Sequence, residues 1–503
     1  MTTNDLFGRS VLRYPDKTAL IDGKYRYSYR EVGEESGRIA NAIMNSGVDK
    51  GESVAILAKD CKEFIFLYLG CSKAGALFVP LNYRCVSREL AYMLTDCKAK
   101  MLVFEAGYAQ TVAEMIDQLP GISSYISIGE CDLPFATAYH AWVASEQAVP
   151  PKIELEEDDE CAIIYTSGTT GKPKGAVITH RTRVACTINM LLDGFVQEGG
   201  VYLLGSPLFH TGALNIVLLP SLTAGATLVI IPRLHSADIA ESVQREKVTH
   251  LLTVPTILNN LLDTGAFKRF DFSSLRRIYY GGSSISLKTL ELILDRLPHV
   301  KLSQGYGQTE STQLTVLRPE YQMSKLGCTG KAHPLVDLRV VDENDRDVRP
   351  GEAGEIVTRG PHVMKGYLNL PDENKKAFKG GWFHTGDIAR LDEDGFLTIV
   401  DRKKDLIISG GENIYPKEIE EVLLSHPKIK EASVFGIPDD KWGESVCAAV
   451  ILEDNESLGE AEVISFCKEN LASYKKPRTV KFFKSFPKNT LGKVQKQQLK
   501  EYF

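Results

Sequence analysis

The chain has 503 residues, 43% of them hydrophobic and 25% charged, with a formal net charge of −6 at pH 7. That length exceeds one ordinary core and predicts two or more globular domains. The acidic balance speaks against nucleic acid as the main partner, and no apolar run approaches the roughly 18 residues of a membrane span.

Ten cysteines are scattered from Cys61 to Cys467, none closer than ten residues to the next, so there is no C-x-x-C metal or redox pair. The first residues lack a basic-then-apolar signal and the last do not read Ser-Lys-Leu. A reduced, cytoplasmic setting is the expectation. Nothing in the sequence fixes the oligomeric state, and a homodimer is left open.

The first hundred residues alternate in type. Short apolar runs (53–58, 75–80, 101–104) alternate with stretches of helical spacing (63–73, 88–95). This predicts βαβ units and a largely parallel sheet, in which ligands sit beyond the carboxyl ends of strands. A charged stretch, 154–160, reads as a solvated surface crossing.

Ala162-Ile163-Ile164 predicts the end of a buried strand. Thr166, Ser167, Gly168, Thr169, Thr170, Gly171, Lys172 and Lys174 follow within a few residues. Glycine bares backbone N–H groups, hydroxyls donate to anionic oxygens, and lysine supplies a compact positive charge. This is not Walker A, because the second glycine of Gly-x-x-x-x-Gly-Lys would fall on Pro173. On composition it is either a polyphosphate cradle or an inert surface loop.

Further along, His210 precedes the small residues Thr211, Gly212 and Ala213. A strand-like run ends at Gly281-Gly282-Ser283, whose paired glycines permit close approach of a ring or acyl chain. Next comes Gly305-Tyr306-Gly307-Gln308-Thr309-Glu310, an aromatic face between glycines followed by a hydroxyl and a carboxylate. Trp382-Phe383-His384-Thr385-Gly386-Asp387 and Asp401-Arg402-Lys403-Lys404-Asp405 come later, then Gly410-Gly411. Residues 416–424 read as a helix with Pro416 near its start. Residues 465–503 hold ten Lys/Arg against two acidic residues, and Pro487-Lys488-Asn489-Thr490-Leu491-Gly492-Lys493 stands near the end.

In this order and spacing, from residue 164 to 493, the motifs resemble those of the adenylate-forming enzymes: acyl-CoA synthetases, luciferases and the adenylation domains of peptide synthetases. The resemblance implies an α/β fold. A large N-terminal domain (1–401) of mixed, largely parallel sheets flanked by helices binds AMP and the acyl group. A small mobile α+β domain (402–503) carries a catalytic lysine, Lys493. It further implies ATP, Mg²⁺ and CoA as the reaction's partners, with acyl-AMP as intermediate.

The implied roles go residue by residue. Lys174 and the hydroxyls of Thr166, Ser167, Thr169 and Thr170 hold the β- and γ-phosphates, with Gly168 and Gly171 shaping the turn. Tyr306 stacks on adenine, flanked by Gly305, Gly307 and Gln308. Thr309 meets the α-phosphate, and Glu310, with Thr166, holds Mg²⁺. Asp387 accepts the ribose hydroxyls and Arg402 contacts the nucleotide. Lys404 is the hinge, and Gly411 lets the pantetheine arm pass. His210 lies between the acyl pocket and the thiol tunnel, and Gly281, Gly282 and Ser283 belong to the cofactor-binding residues. Trp442 stacks on CoA adenine and Lys475 meets CoA phosphates. The expected pocket segments (209–215, 254–259, 280–284, 305–315) are apolar or small and contain no arginine. This favours an apolar monocarboxylate: fatty, aryl or alicyclic. Loading of a carrier protein in trans and a non-catalytic sensor are the alternatives.

Overall fold

The structure is a computed structural model. It describes residues 1–503 apart from 167–171, 284, 410–411, 440–441 and 489–493, and apart from the side chains of 404, 412 and 413. The chain divides into two compact units. One is Met1–Leu338 with Thr358–His384; the other is Arg339–Val357 with Thr385–Phe503.

The first unit is built on two large sheets. The expected apolar runs form strands at Ser53–Leu57, Leu77–Pro80 and Met101–Glu105, buried nearly throughout. The helix Lys62–Ala74 lies between the first two and ends at Gly75, which takes a left-handed conformation open to glycine without strain. Ser53–Leu57 pairs in parallel with both of the others. Such a doubly covered parallel sheet needs apolar residues on both faces, hence continuous runs in place of alternation. Among the described residues eight strands make this sheet. One end is an antiparallel addition in which Lys174–Thr179 pairs with Glu160–Thr166 and Gly366–Tyr367 pairs with Lys174–Thr179.

The other sheet has nine strands among the described residues. Its parallel centre runs through Val201–Leu204, His250–Thr253, Arg277–Gly281 and Lys301–Gln308, and Thr312–Leu317 then folds back antiparallel. Apolar side chains such as Leu251, Leu258, Ile278, Leu290 and Ile293 pack one core against it. The Glu160–Thr166, Arg277–Gly281 and Lys301–Gln308 strands each lead directly into a motif singled out in the sequence.

The second unit holds the hairpin in which Asp387–Leu391 pairs with Leu397–Arg402. It also holds a five-stranded sheet centred on Ile429–Asp439 and Gly443–Leu452. The helices Pro416–Leu424 and Glu460–Asn470 supply Ile419, Leu423, Val463 and Cys467 to a core beside that sheet.

Candidate active site

Tyr165 fixes the strand that delivers the hydroxyl-rich loop. Its hydroxyl donates to the Met93 carbonyl at 3.0 Å and to Asp96 Oδ2 at 2.8 Å, at the end of the helix Ser87–Asp96. Thr166 then stands opposite Lys174 in the antiparallel register, and its Oγ1 donates to the Lys174 carbonyl at 3.4 Å. The loop between them, Ser167, Gly168, Thr169, Thr170 and Gly171, lies outside the described residues. Lys174 itself is held inward. Its ammonium is 2.5 Å from Glu373 Oε2 and lies 5.2 Å from the centre of the Tyr367 ring.

Tyr367 connects this lysine to the second motif. Its hydroxyl donates to Glu310 Oε1 at 2.9 Å. Burial first, then the Glu310 charge, pushes the phenol well above its usual range, so it remains a donor. Glu310 lies in the turn between Lys301–Gln308 and Thr312–Leu317, and its carbonyl accepts the Met364 N–H at 2.7 Å. In the same turn Thr312, a buried β-branched residue, has φ of 51°. Such a residue is seldom left-handed, and strain of this kind gathers at functional turns. Its hydroxyl donates to the His362 carbonyl at 3.3 Å. Tyr306 and Thr309 are half-buried on the same stretch, where the register shifts between Tyr306 and Gly307.

The glycines of these motifs have a packing reason of their own. A Cβ on Gly305 would overlap the Tyr279 hydroxyl, and one on Gly307 would overlap the Thr312 carbonyl oxygen. On Gly281 it would come 2.6 Å from the Gly305 carbonyl oxygen. Gly282 needs glycine for its backbone, with φ of 81°, and it is exposed together with Ser283.

On the acyl side, His210 caps a tight turn, its N–H donating to the Pro207 carbonyl at 3.0 Å. Its ring lies 4.2 Å from that of Phe209, and Phe209 meets Tyr83 edge-on. A π-helix, Gly212–Leu218, follows at once. This rare form concentrates at functional sites, and no residue pattern announces it. Asp60 is buried beneath the turn and accepts the Leu208 N–H at 2.9 Å.

In the second unit, Asp387 and Arg402 face each other across the hairpin, with Arg402 Nε 3.4 Å from Asp387 Oδ1. Asp387 is buried and Arg402 exposed. Trp442 carries the Arg478 guanidinium 4.5 Å above its ring. The Lys475 ammonium is taken by both oxygens of Glu418, at 2.6 and 2.8 Å. Lys488 and Lys496 pair with one oxygen each of Glu431 and Glu420. Lys475, Lys488 and Lys496 of the basic C-terminal stretch are thus paired with acids of their own unit. Gly411 and Lys493 lie outside the described residues, as does the Lys404 side chain.

Tyr367 and Glu373 were missed by sequence reasoning. The strand bearing Tyr367 is two residues long, and Glu373 is 199 residues from its lysine. Neither carries a pattern that would have found it.

Comparison with known proteins bears on this arrangement. Residues 7–368 match the model of the AMP-binding enzymes, and residues 418–493 match that of the AMP-binding enzyme C-terminal domain. A feruloyl-CoA synthase of Amycolatopsis sp is 35% identical over 490 residues, covering 97% of this chain and 96% of its own. A 2-succinylbenzoate–CoA ligase of Bacillus licheniformis is 36% identical, covering 96% of this chain and 97% of its own. Among solved structures, an anthranilate CoA ligase in complex with anthranoyl-AMP superimposes with a TM-score of 0.91 at 26% identity, covering 100% of this chain and 97% of that one.

Proposed function

The chain belongs to the AMP-binding enzyme family and is an AMP-forming acid–thiol ligase; from that premise we propose that its acid is an aromatic monocarboxylate and its thiol free CoA. The observation that carries this reading is the near full-length match to a ligase named for ferulate, an aromatic monocarboxylate; the match to a ligase named for 2-succinylbenzoate, an aromatic dicarboxylate, supports the aromatic ring alone. The expected pocket segments, lacking arginine, support one carboxylate in place of two.

A carboxylate is a poor acyl donor, because its leaving group would be an oxide. Attack of a carboxylate oxygen on the α-phosphorus of ATP gives acyl-AMP and pyrophosphate. Charge then builds on the phosphoryl oxygens, so positioning and electrostatic stabilisation dominate catalysis. In the proposed assignment Lys174, Thr166 and the hydroxyls that follow hold the leaving pyrophosphate. Tyr306 packs on the base, Thr309 meets the α-phosphate, Asp387 binds the ribose, Arg402 contacts the nucleotide and Lys493 adds charge at the reacting centre. The CoA thiol then attacks the acyl carbon past His210 and AMP leaves. Trp442 and Lys475 stay assigned to CoA, the latter on condition that it exchanges Glu418 for phosphate.

The residues suit magnesium. Among the described residues no three His, Cys, Asp or Glu side chains cluster so as to hold a metal. One carboxylate, Glu310, with the Thr166 hydroxyl offers hard oxygen donors of the kind Mg²⁺ takes alongside phosphates. When bound, the ion neutralises phosphoryl charge.

The test is a panel of aromatic, fatty and alicyclic acids with ATP and CoA, following AMP release. Substituted benzoates, cinnamates and arylacetates are expected to exceed C6–C16 fatty acids by at least about tenfold in kcat/KM, the size of difference a pocket of matched shape supplies. A preference for fatty acids overturns the aromatic assignment. Activity with holo-carrier protein but not with CoA overturns the choice of thiol.

A further inference from the structure

Lys174 is read above as a ligand of the leaving pyrophosphate, yet its ammonium already sits against a carboxylate. Glu373 Oε2 lies 2.5 Å from Lys174 Nζ, with side-chain exposures of 12% for the lysine and 32% for the glutamate. The helix carrying Glu373, Pro371–Ala377, is pinned to the site. The Asn374 side chain accepts the Tyr367 N–H at 2.7 Å and donates to the Tyr367 carbonyl at 2.9 Å. Tyr367 in turn pairs with Ala176 of the lysine's own strand, and the Leu368 N–H donates to the Gly175 carbonyl at 2.8 Å. The pairing is therefore built by backbone contacts on both sides and is not a chance meeting of two long side chains. The other charges facing it are Lys376, 3.1 Å from Glu373 Oε1 on the same helix, and Glu310, reached through the Tyr367 hydroxyl.

We infer that Glu373 is a built-in competitor of the nucleotide for Lys174, a counter-charge that phosphate oxygens must displace and that reclaims the lysine when pyrophosphate departs. The inference rests on the reading of Lys174 as a phosphate ligand. With Glu373 2.5 Å away, part of the lysine's charge is already neutralised, and the glutamate's own negative charge repels an incoming phosphate. Triphosphate carries more charge and wins, but the free energy of the Lys174–Glu373 pair is subtracted from its binding. The same subtraction weakens retention of pyrophosphate, which is a product and must leave. Lys174 and Glu310 both contact Tyr367, the lysine through the ring and the glutamate through the hydroxyl.

Glu373→Gln keeps shape and an oxygen acceptor and removes the charge. Equilibrium binding of ATP without acid, and inhibition by pyrophosphate, are measured for wild type, Glu373→Gln, Lys174→Met and the double variant. Glu373→Gln is expected to tighten ATP and pyrophosphate binding roughly two- to fivefold, the range of one partly exposed ion pair. Lys174→Met is expected to abolish that gain, so that the double variant matches the single lysine variant. Unchanged or weaker binding in Glu373→Gln overturns the inference, as does a gain that persists without Lys174. Carboxylate-dependent ATP–pyrophosphate exchange in the wild type is the separate control. If exchange is present and the gain absent, only this inference fails; if exchange is absent, the reading of the site fails.

Discussion

Asp60 is a carboxylate placed where water does not reach, under the turn that presents His210. Burial pushes its pKa from an ordinary 3.8 up to about 7, and the Leu208 N–H and the Arg84 charge only partly oppose this. The folded state therefore binds a proton that the unfolded state has released over this interval. The stability owed to that proton is fully present below pH 4 and is lost as the pH rises through 7. Asp60→Asn keeps an oxygen for the Leu208 N–H and has no proton to lose. It is expected to match the wild type near pH 4 and to exceed it at pH 8 by about 1–3 kcal/mol, allowing for incomplete desolvation. Thermal midpoints of both proteins across that range check this; a constant offset at every pH would remove Asp60 as the cause.

At the scale of the element, the strand Lys301–Gln308 shows how one sequence feature serves packing and function together. Gly305 and Gly307 flank the aromatic face assigned to adenine, yet each is also demanded by a neighbour of its own sheet, Tyr279 and Thr312 respectively. At Gly307 the obstacle is backbone, which cannot swing away. Gly307→Ala is expected to destabilise the protein by about 1–3 kcal/mol, the usual cost of overpacking, and to weaken ATP binding by displacing Tyr306. Melting and ATP affinity measured on the same variant check it, and a variant with wild-type melting but impaired affinity would assign Gly307 to the ligand alone. The strands themselves were legible because a strand covered on both faces leaves a continuous apolar run, as at 53–57 and 101–105. The motif residues were legible because glycine, hydroxyl and charge rarely crowd together without a task. The strand Gly366–Tyr367 was not, because two residues carry no period. The Lys174–Glu373 pair was not, because an ion pair across 199 residues leaves no local trace. Lys475 read as available for phosphate because its partner Glu418 is 57 residues distant in sequence.

At the scale of the whole molecule, packing divides the chain so that Asp387 and Arg402 go with the C-terminal residues. The proposed division at 401/402 concerns turning, and it falls on a buried carboxylate. Asp401 accepts the Arg402 N–H at 2.7 Å and the Lys417 N–H at 2.8 Å, while Lys417 Nζ donates to the Ile399 carbonyl at 2.9 Å. A rotation about Lys404 separates Asp401 and Ile399 from Lys417, so it has to break the last two of these bonds. Such a two-state hinge would let one small unit serve two half-reactions in turn, with Lys493 assigned to the first and Gly411 to the second. In that assignment the charge of Lys493 acts only while phosphoryl charge is building. Lys493→Ala is therefore expected to cut acyl-AMP formation by at least about 10²–10³, the cost of losing one positioned charge. The same variant given synthetic acyl-AMP and CoA is expected to form thioester within a few-fold of the wild-type rate. Single-turnover measurement of each half-reaction decides the matter, because equal loss of both would mean that Lys493 serves one fixed site and that the chain does not alternate.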